Sequence, residues 1–363
     1  MKCLIISNYA STPHNVRPEA EMVIGLKRRG LDIEVMTPAA CEYAGRMAAA
    51  GIPIHDHLPR RKLSLASIRR IRAVLRSGRH QVLYLFNNPA IANGLQAARG
   101  LPVKIVTYRG QTGNIHRYDP FAYLTHLHPR VDRIVCVANA VRDDLRRVLW
   151  RPEKAVTIYK GHDIRWYAGV AAVDRNRLGV PPGHCLVVCV ANNRPRKGVP
   201  VLLDAVERLP AGLPLRLLLI GGGMDSAAMR ARIAGRPLEK RVGLLGHRDD
   251  VLGIVAAADI AVLPSLRREG LPKTVIEAMA LGVPPIVTRS GGSAELVDEG
   301  RSGLVVPPGD APALATAIER LAREPEARRQ MGAAARDKLI RNFNIEDSIE
   351  RHLALFRELA QPG

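Results

Sequence analysis

The chain has 363 residues, a length typical of about two domains. Hydrophobic residues make up 47% of it, which is enough for two ordinary cores and excludes an intrinsically disordered chain. Lys and Arg number 54 against 34 Asp and Glu, so the net charge is +20 and indicates an anionic partner. A nucleic acid, an anionic membrane and a phosphorylated small molecule all fit that charge.

The N-terminus and the cysteines narrow the class of protein. The first residues lack the apolar stretch of a signal peptide, and no window approaches the roughly 18 apolar residues of a membrane span. The cysteines are odd in number and lie mostly in apolar runs: Cys3, Cys41, Cys136, Cys185 and Cys189. They are typical of reduced core residues in a cytoplasmic protein.

Two histidine pairs, His55/His57 and His126/His128, have the spacing of metal ligands. Because no further ligand accompanies either pair, we expect capping or surface roles for them and no metal site. We likewise expect no bound cofactor.

Short β-branched runs alternate with amphipathic stretches along the first half of the chain. The predicted strands of this half are Lys2–Ser7, Asp32–Thr37, Gln81–Phe86, Val103–Thr107 and Arg133–Ala138. Strands separated by helical stretches, such as the one over residues 21–29, are typical of a parallel, doubly wound sheet. We therefore predict a Rossmann-like domain over residues 1–167.

A second series of strands follows residues 168–183, whose Gly, Pro and mixed charge are typical of a linker. Its predicted strands are Cys185–Ala191, Leu215–Ile220, Val242–Leu245, Ile260–Leu263, Pro285–Thr288 and Gly303–Val306. We predict a second Rossmann-like domain over residues 168–344, with a cleft between the two domains. The last helix, within 345–363, is expected to pack back on the first domain.

Residues 259–282 carry the most informative pattern. A strand ends at Pro264-Ser265, and a short loop then leads to a helix that is predicted to begin at Pro272 and end at Gly282. The free N–H groups of a helix N-terminus at the carboxyl edge of a parallel sheet favour bound phosphate.

Glu277 lies inside this helix among apolar residues, where a carboxylate is costly unless it has hydrogen-bond donors. Two sugar hydroxyls, such as those of a ribose, would satisfy both of its oxygens. Glu269, in the loop before the helix, can face the same cleft. The alternative is that Glu277 pairs with a buried Arg and that Glu269 is solvated.

Three further loops directly follow predicted strands of the second series. Asn192–Gly198 carries Arg194 and Lys197, which can neutralise a diphosphate, although such basic loops are usually solvated. Gly221–Gly223 and Gly291-Gly292 permit close approach of the backbone, although glycine runs are commonly just turns.

This second half resembles the donor-binding domain of glycosyltransferase family 4, retaining enzymes with the GT-B fold. The residues that carry the resemblance are Ala191–Gly198, Gly246–Ser265, the pair Glu269 and Glu277, and Gly291-Gly292 with Glu295. In strand order it extends over nearly the whole chain. It implies an α/β chain of GT-B type, in which two Rossmann-like domains face each other across a cleft.

The resemblance also implies roles for single residues. Glu277 holds the ribose of a nucleotide sugar, and Glu269 contacts the transferred sugar. Lys197, helped by Arg194, binds the diphosphate and stabilises its charge as it leaves, which requires no metal. The other nucleotide-sugar-binding positions are Gly221, Gly222, His247, Gly270, Leu271, Lys273, Thr274 and Val275.

The chain departs from the family pattern at three places. Asn192 stands where the family usually has an Arg, and Arg109 stands where it often has a His facing the donor. The first loop, residues 15–21, lacks the common Gly-Gly; its Arg17 and Glu19, together with His116, are expected on the acceptor side. We expect Arg17 and Arg109 to face the cleft, with Arg109 acting on the phosphate.

Between Arg60 and Arg79 the chain has eight basic residues and no acidic one, with an apolar stripe of Ile68, Ile71, Val74 and Leu75. A cationic amphipathic helix suits an anionic membrane surface, and the alternative is a solvated basic face. No recognition motif supports a nucleic acid, so we expect none as partner.

Together these patterns predict a cytoplasmic, retaining, metal-independent glycosyltransferase, placed at the inner face of the cytoplasmic membrane. Its donor is a nucleotide sugar, and its acceptor is a cell-envelope glycolipid or polysaccharide such as lipopolysaccharide core. The alternatives are a sugar-nucleotide epimerase of similar fold and a non-catalytic membrane- or polyanion-binding protein.

Overall fold

The computed structural model describes residues 1–10 and 13–361 and divides the chain into two units. Unit 1 comprises Met1–His162 and the chain from Phe343 onward, and unit 2 comprises Asp163–Asn342. The strands, in chain order, are β1 (Lys2–Ile6), β2 (Asp32–Thr37), β3 (Ile54–Asp56), β4 (Val82–Leu85), β5 (Lys104–Arg109), β6 (Arg133–Cys136), β7 (Ala155–Thr157), β8 (Cys185–Val190), β9 (Leu215–Ile220), β10 (Val242–Gly246), β11 (Ile260–Leu263), β12 (Pro285–Thr288) and β13 (Leu304–Val306).

The helices alternate with these strands. They are α1 (Pro13–Arg28), α2 (Glu42–Ala49), α3 (Leu65–Gly78), α4 (Asn88–Ala97), α5 (Asn139–Arg146), α6 (Val199–Glu207), α7 (Ala227–Ile233), α8 (Leu238–Arg241), α9 (Val251–Ala256), α10 (Lys273–Ala280), α11 (Ala311–Arg323), α12 (Pro325–Asn342) and α13 (Ile345–Ala360). No helix among the described residues is long and apolar enough to span a membrane.

Unit 1 is built on one parallel sheet with the order β3-β2-β1-β4-β5-β6-β7. Its central strands are buried on both faces, as predicted from their unbroken aliphatic sequence. The three-residue edge strands β3 (IHD) and β7 (AVT) were not predicted, because neither has the unbroken aliphatic run that reveals the equally short β13 (LVV).

Helix α13 returns to unit 1 and packs against α1. A Cβ on Gly25 of α1 would lie 2.2 Å from the Ile349 Cδ1 of α13, so the two helices approach closely only because this position is glycine. Directly after α1, Arg29 forms an ion pair with Glu346 at 2.5 Å. Helix α1 itself begins at Pro13, with Pro18 inside it, so the predicted loop over residues 15–21 is helical.

Unit 2 is built on a second parallel sheet, with the order β10-β9-β8-β11-β12-β13. The segment predicted as a linker belongs to this fold. Leu178 and Val180 are buried in the core with Val188 and Leu218, and the Val173 N–H donates to the Gly253 carbonyl at 3.0 Å. The linker prediction missed this because the few apolar residues stand among Gly, Pro and charge.

The strand order of unit 2 reverses between β8 and β11. Strands β8, β9 and β10 follow one another outward on one side, whereas β11, β12 and β13 follow on the other. In parallel sheets a crevice opens at such a switch point, outside the carboxyl ends of the two central strands. We therefore expect a binding site at the loops after β8 and β11.

Candidate functional site

Helix α10 follows the loop after β11. It begins at Lys273, and Pro272 is the N-cap rather than the first helical residue, as its extended conformation shows (φ −68°, ψ 117°). The helix ends at Ala280, two residues before the predicted Gly282; Leu281 is the C-cap, and Gly282 follows it with a φ of +73°. The next N–H, of Val283, donates to the Ala278 carbonyl at 2.9 Å and so closes the last turn.

Glu277 is buried in α10, with 5% of the residue exposed. Its Oε1 lies 2.5 Å from the Nζ of Lys273, one helical turn earlier. The cation that pairs with Glu277 is thus a partly exposed lysine and not a buried arginine. The Lys273 side chain keeps 28% of its surface exposed to solvent.

Glu269 is equally buried and lies in the loop before α10. Its Oε1 is 2.7 Å from the Lys197 Nζ, and the Ser265 hydroxyl donates to the same oxygen at 2.7 Å. The Arg196 guanidinium stands at 3.8 Å. The two residues that the sequence assigns to diphosphate and sugar therefore meet at the switch point, from the loops after β8 and β11.

Close backbone approach holds these loops together. A Cβ on Gly198, whose φ is +69°, would lie 2.0 Å from the Pro264 carbonyl oxygen. A Cβ on Gly291 would lie equally near the Glu269 carbonyl oxygen. Across the same junction the Leu266 N–H donates to the Arg196 carbonyl at 2.8 Å. Gly198 and Gly291 therefore allow the close backbone contacts that hold Lys197 and Glu269 next to each other.

Asn192 has a definite role in the structure. Its Oδ1 accepts from the Gly222 N–H at 3.1 Å, and the Asn193 N–H donates to the Gly222 carbonyl at 2.9 Å. A Cβ on Gly221 would lie 2.2 Å from the Ala191 carbonyl oxygen. Asn192, at the position where the family usually has an Arg, thus joins the loops after β8 and β9. It accepts the hydrogen bond of the Gly222 N–H, a residue that the resemblance assigns to nucleotide binding.

The remaining donor-side candidates lie along the same sheet edge. Arg194 is exposed at the start of the basic turn, and its carbonyl accepts from the Lys197 N–H at 2.8 Å. His247 is exposed just after β10, with its Nε2 3.7 Å from an oxygen of Asp249. Gly270, Leu271, Thr274 and Val275 lie between Glu269 and Glu277, in the loop and first turn of α10.

Sequence analysis missed Ser265 and Thr288. Ser265 is fully buried; besides donating to Glu269, it accepts at its carbonyl from the Thr288 hydroxyl. A serine two residues after the apolar run of β11 is a signal that could have been used, since a buried hydroxyl requires a partner.

In unit 1, Arg109 is the last residue of β5. Its guanidinium donates to the Gly113 carbonyl, while the Gly113 N–H donates to the Asp144 carboxylate at 2.6 Å. Burial lowers the pKa of Arg109, and Asp144 counteracts this shift. These contacts clamp the loop that follows the strand.

His126 is buried, which corrects the expected surface role. Its Nδ1 lies 3.0 Å from the Thr107 hydroxyl on β5. Burial, and secondarily the charge of Arg109, lower the pKa of His126 to about 3, so the ring is neutral at physiological pH. His116 is exposed and stacks on Tyr118, with ring centroids 5.0 Å apart.

Glu19 and Arg17 also engage unit 1 itself. The Glu19 Oε1 lies 2.6 Å from the Lys160 Nζ and accepts from the Tyr108 hydroxyl at 3.2 Å. Arg17 hydrogen-bonds the Tyr43 hydroxyl, and this contact offsets part of the rise that burial causes in the pKa of Tyr43. The two predicted acceptor-side residues therefore stand on the first turns of α1, with partners in their own unit.

Helix α3 makes up most of the basic segment 60–79. Ile71 and Leu75 of its apolar stripe are buried, and Arg72 donates to the Ala97 and Arg99 carbonyls at 2.9 and 2.6 Å. Because Ile71 and Leu75 belong to the core of unit 1, the surface left for a membrane is the basic face of α3 together with exposed Leu63 and Leu65 at its start. Among the described residues, no cluster of three or more His, Cys, Asp or Glu is arranged to hold a metal ion.

Two doubly wound parallel sheets, one in each unit, are the architecture of the GT-B fold class. Two sequence profiles match the chain: the one described as Glycosyltransferase Family 4 over residues 20–166, and the one described as Glycosyl transferases group 1 over residues 171–338. The chain belongs to glycosyltransferase family 4.

Known relatives agree with this assignment. The lipopolysaccharide core biosynthesis glycosyltransferase LpsE of Rhizobium meliloti is 29% identical over 62% of this chain and 64% of its own length. The match thus spans just under two thirds of that relative. The phosphatidyl-myo-inositol mannosyltransferase of Mycobacterium leprae is 29% identical over 93% of this chain and 91% of that protein.

The fold is also that of solved structures. HepE of Anabaena, determined in complex with UDP, superimposes with a TM-score of 0.80 over 99% of this chain and 100% of that one. At 20% sequence identity this likeness concerns the fold alone.

Proposed function

We propose that the protein is a retaining, metal-independent glycosyltransferase that moves a sugar from a nucleotide-diphosphate sugar to a cell-envelope glycolipid or polysaccharide. The observation that carries the proposal is the meeting of Lys197 and Glu269 at the switch point, one loop away from the buried Glu277. This arrangement supplies a cation and two carboxylates at a site suited to phosphate and sugar hydroxyls.

In the proposed complex, Glu277 exchanges Lys273 for the ribose hydroxyls of the donor. Glu269 accepts from hydroxyls of the transferred sugar, held in place by Ser265. The Lys197 ammonium, which has three N–H donors, contacts the diphosphate while it lies beside Glu269. Arg194 adds a second positive charge at the exposed side of the same turn.

In the reaction, the bond between the sugar anomeric carbon and the diphosphate oxygen breaks, and a bond to an acceptor hydroxyl oxygen forms on the same face. The acceptor proton passes to the departing phosphate. Lys197 and Arg194 stabilise the negative charge that develops on the leaving group, a form of electrostatic catalysis that uses fixed cations. Arg109 is assigned to the same phosphate from unit 1.

The relatives point to the acceptor class. LpsE acts in lipopolysaccharide core biosynthesis, and the Mycobacterium leprae relative is named for transfer to a phosphatidyl-inositol. A lipid-linked acceptor fits the exposed basic face of α3, which would hold the enzyme at the inner face of the cytoplasmic membrane. These relatives are named as transferases, and they favour transfer over the epimerase and the non-catalytic alternatives.

A panel of nucleotide sugars tested by thermal denaturation examines the proposal directly. At a ligand concentration of about 100 times Kd, we expect one donor to raise the Tm by about 5 °C. Glu277→Gln should abolish this shift, whereas Glu326→Gln, an exposed glutamate of the same unit, should preserve it. The proposal would be contradicted if no nucleotide sugar of the panel raised the Tm, or if Glu277→Gln showed the same rise in Tm as the wild type.

A further inference from the structure

Unit 1 contains a cavity of about 480 Å³ that is separate from the residues assigned to the donor. It is lined by Leu127, His128, Leu149, Trp150, Arg151 and Lys154, among others. These residues precede β6 and β7, so the cavity lies toward the amino ends of neighbouring strands, whereas Arg109 marks the carboxyl end of β5. Its volume is in the range of small-molecule sites, about 300–1,000 Å³.

The polar part of the lining is cationic. The Lys154 Nζ donates to the Pro129 and Val131 carbonyls at 2.9 and 2.5 Å, which fixes the ammonium and leaves its third N–H for a ligand. The His128 Nδ1 accepts from the Arg130 N–H at 3.1 Å, so the neutral ring carries its proton on Nε2. Arg151 is exposed at the rim.

The charges around the cavity leave this positive field in place. Burial lowers the pKa of His128, and the charges of Arg130, Lys154 and Arg99 lower it further. The carboxylates of Asp132 and Glu153 raise the pKa of Lys154, but neither residue lines the cavity. A bound anion would therefore meet two cations, Lys154 and Arg151, and no carboxylate in the lining.

The exposed Trp150 lines the cavity, and two further exposed aromatic side chains lie within five residues before Tyr123 of the lining. Trp150 is 71% exposed, and the Arg117 guanidinium lies 4.6 Å from its ring centroid while donating to the Val148 and Leu149 carbonyls. Tyr118 and Phe121 are also exposed, and the Lys62 ammonium lies 5.2 Å from the centroid of Phe121. Amphipathic aromatic rings next to Lys and Arg are typical of surfaces that rest in the headgroup region of a bilayer.

We infer that this cavity, hereafter the headgroup pocket, binds the phosphate-bearing headgroup of an anionic phospholipid and docks unit 1 on the bilayer. Lys154, Arg151 and the His128 N–H hold the phosphate, while Leu127, Leu149 and Trp150 contact the glycerol and the first carbons of the chains. The inference rests on the proposed function for its membrane setting, and it adds a specific lipid site to the diffuse basic face of α3.

The test uses Trp150 as its reporter. The chain has two tryptophans, so Trp166→Phe leaves Trp150 as the single emitter. In this background a short-chain phosphatidic acid, kept below its micelle concentration, is titrated against inorganic phosphate and short-chain phosphatidylcholine. The matched variants are Arg151→Gln at the pocket and Arg70→Gln, an exposed arginine of α3.

We expect phosphatidic acid to shift Trp150 emission to shorter wavelength and to bind at least tenfold more tightly than phosphatidylcholine or phosphate. Arg151→Gln should weaken this binding about tenfold, and Arg70→Gln should leave it unchanged. Equal loss in both variants, equal affinity for free phosphate, or no spectral change would overturn the inference. The donor-induced rise in Tm should persist in Arg151→Gln, so failure of the lipid site and failure of the donor site are separable.

Discussion

The two units place their charged candidates in different settings. In unit 2, loops from different strands are joined to one another: Lys197 contacts Glu269, and Asn192 contacts Gly222. In unit 1, the candidates bind their own surroundings: Arg109 holds the loop at Gly113, and Glu19 pairs with Lys160. The comparison indicates that the loops of the unit 2 site are already joined before a donor arrives, although Glu277 must still give up Lys273, whereas the contacts of the unit 1 candidates do not join them to one another.

The largest effect is expected at Lys197, the cation of the preformed site. Lys197→Met removes the charge from the leaving diphosphate and leaves buried Glu269 with only its neutral donor, Ser265, and the more distant Arg196. Donor turnover, measured as release of nucleoside diphosphate, should fall by about 10²–10³-fold. The control is Lys240→Met, an exposed lysine of the same unit, which should behave as wild type. Comparable losses in both variants would show that general charge, and not this position, matters.

The second prediction concerns the junction of the loops after β8 and β11. Gly198→Ala introduces a Cβ that must displace the Pro264 carbonyl, and it does so at positive φ, so we expect a loss of about 2–4 kcal/mol in unfolding free energy. Gly282 has a similar φ but open space around it, and Gly282→Ala should cost only about 1 kcal/mol. Denaturant unfolding measures both variants, and equal losses would mean that the contact with Pro264 is unimportant.

A third, smaller effect tests whether Arg109 acts beyond its clamp. Arg109→Met deprives the Gly113 carbonyl of its donor and should lower stability by about 1 kcal/mol. If Arg109 also acts on the phosphate, donor turnover should fall about tenfold in the folded variant. Unchanged turnover would show that Arg109 only holds the loop at Gly113, and that the residues acting on the donor belong to unit 2 alone.

Much of this architecture was predictable from the sequence, and the omissions have physical causes. Long apolar strands such as β1 and β8 are evident because they are buried on both faces. The linker prediction for residues 168–183 was wrong because their few apolar side chains show no periodicity. The contact between Lys197 and Glu269 joins positions 72 residues apart, so no local pattern reveals it. Family resemblance predicted the two residues, and only the fold shows that Ser265 and Gly198 set their positions.

The smallest effect is expected on the basic face of α3. Arg70→Gln should weaken binding to anionic vesicles about fivefold, since each cation near such a surface contributes about 1 kcal/mol, and added salt should reduce the difference. Sedimentation with anionic and neutral vesicles measures it. An unchanged affinity for anionic vesicles in Arg70→Gln would remove α3 from the membrane contact and leave the headgroup pocket as its candidate, whereas equal binding of the wild type to both kinds of vesicle would contradict both.

The most direct test of the donor site is a double-mutant cycle between Glu277 and the ribose. Calorimetry would compare the active nucleoside diphosphate with its 2′-deoxy analogue, each against wild type and Glu277→Gln. If Glu277 holds the ribose, loss of the hydroxyl should weaken binding at least tenfold in wild type and hardly at all in the variant, a coupling of about 1.4 kcal/mol. Losses that simply add would show that Glu277 does not contact the ribose, and they would contradict the account of unit 2 as a nucleotide-sugar site.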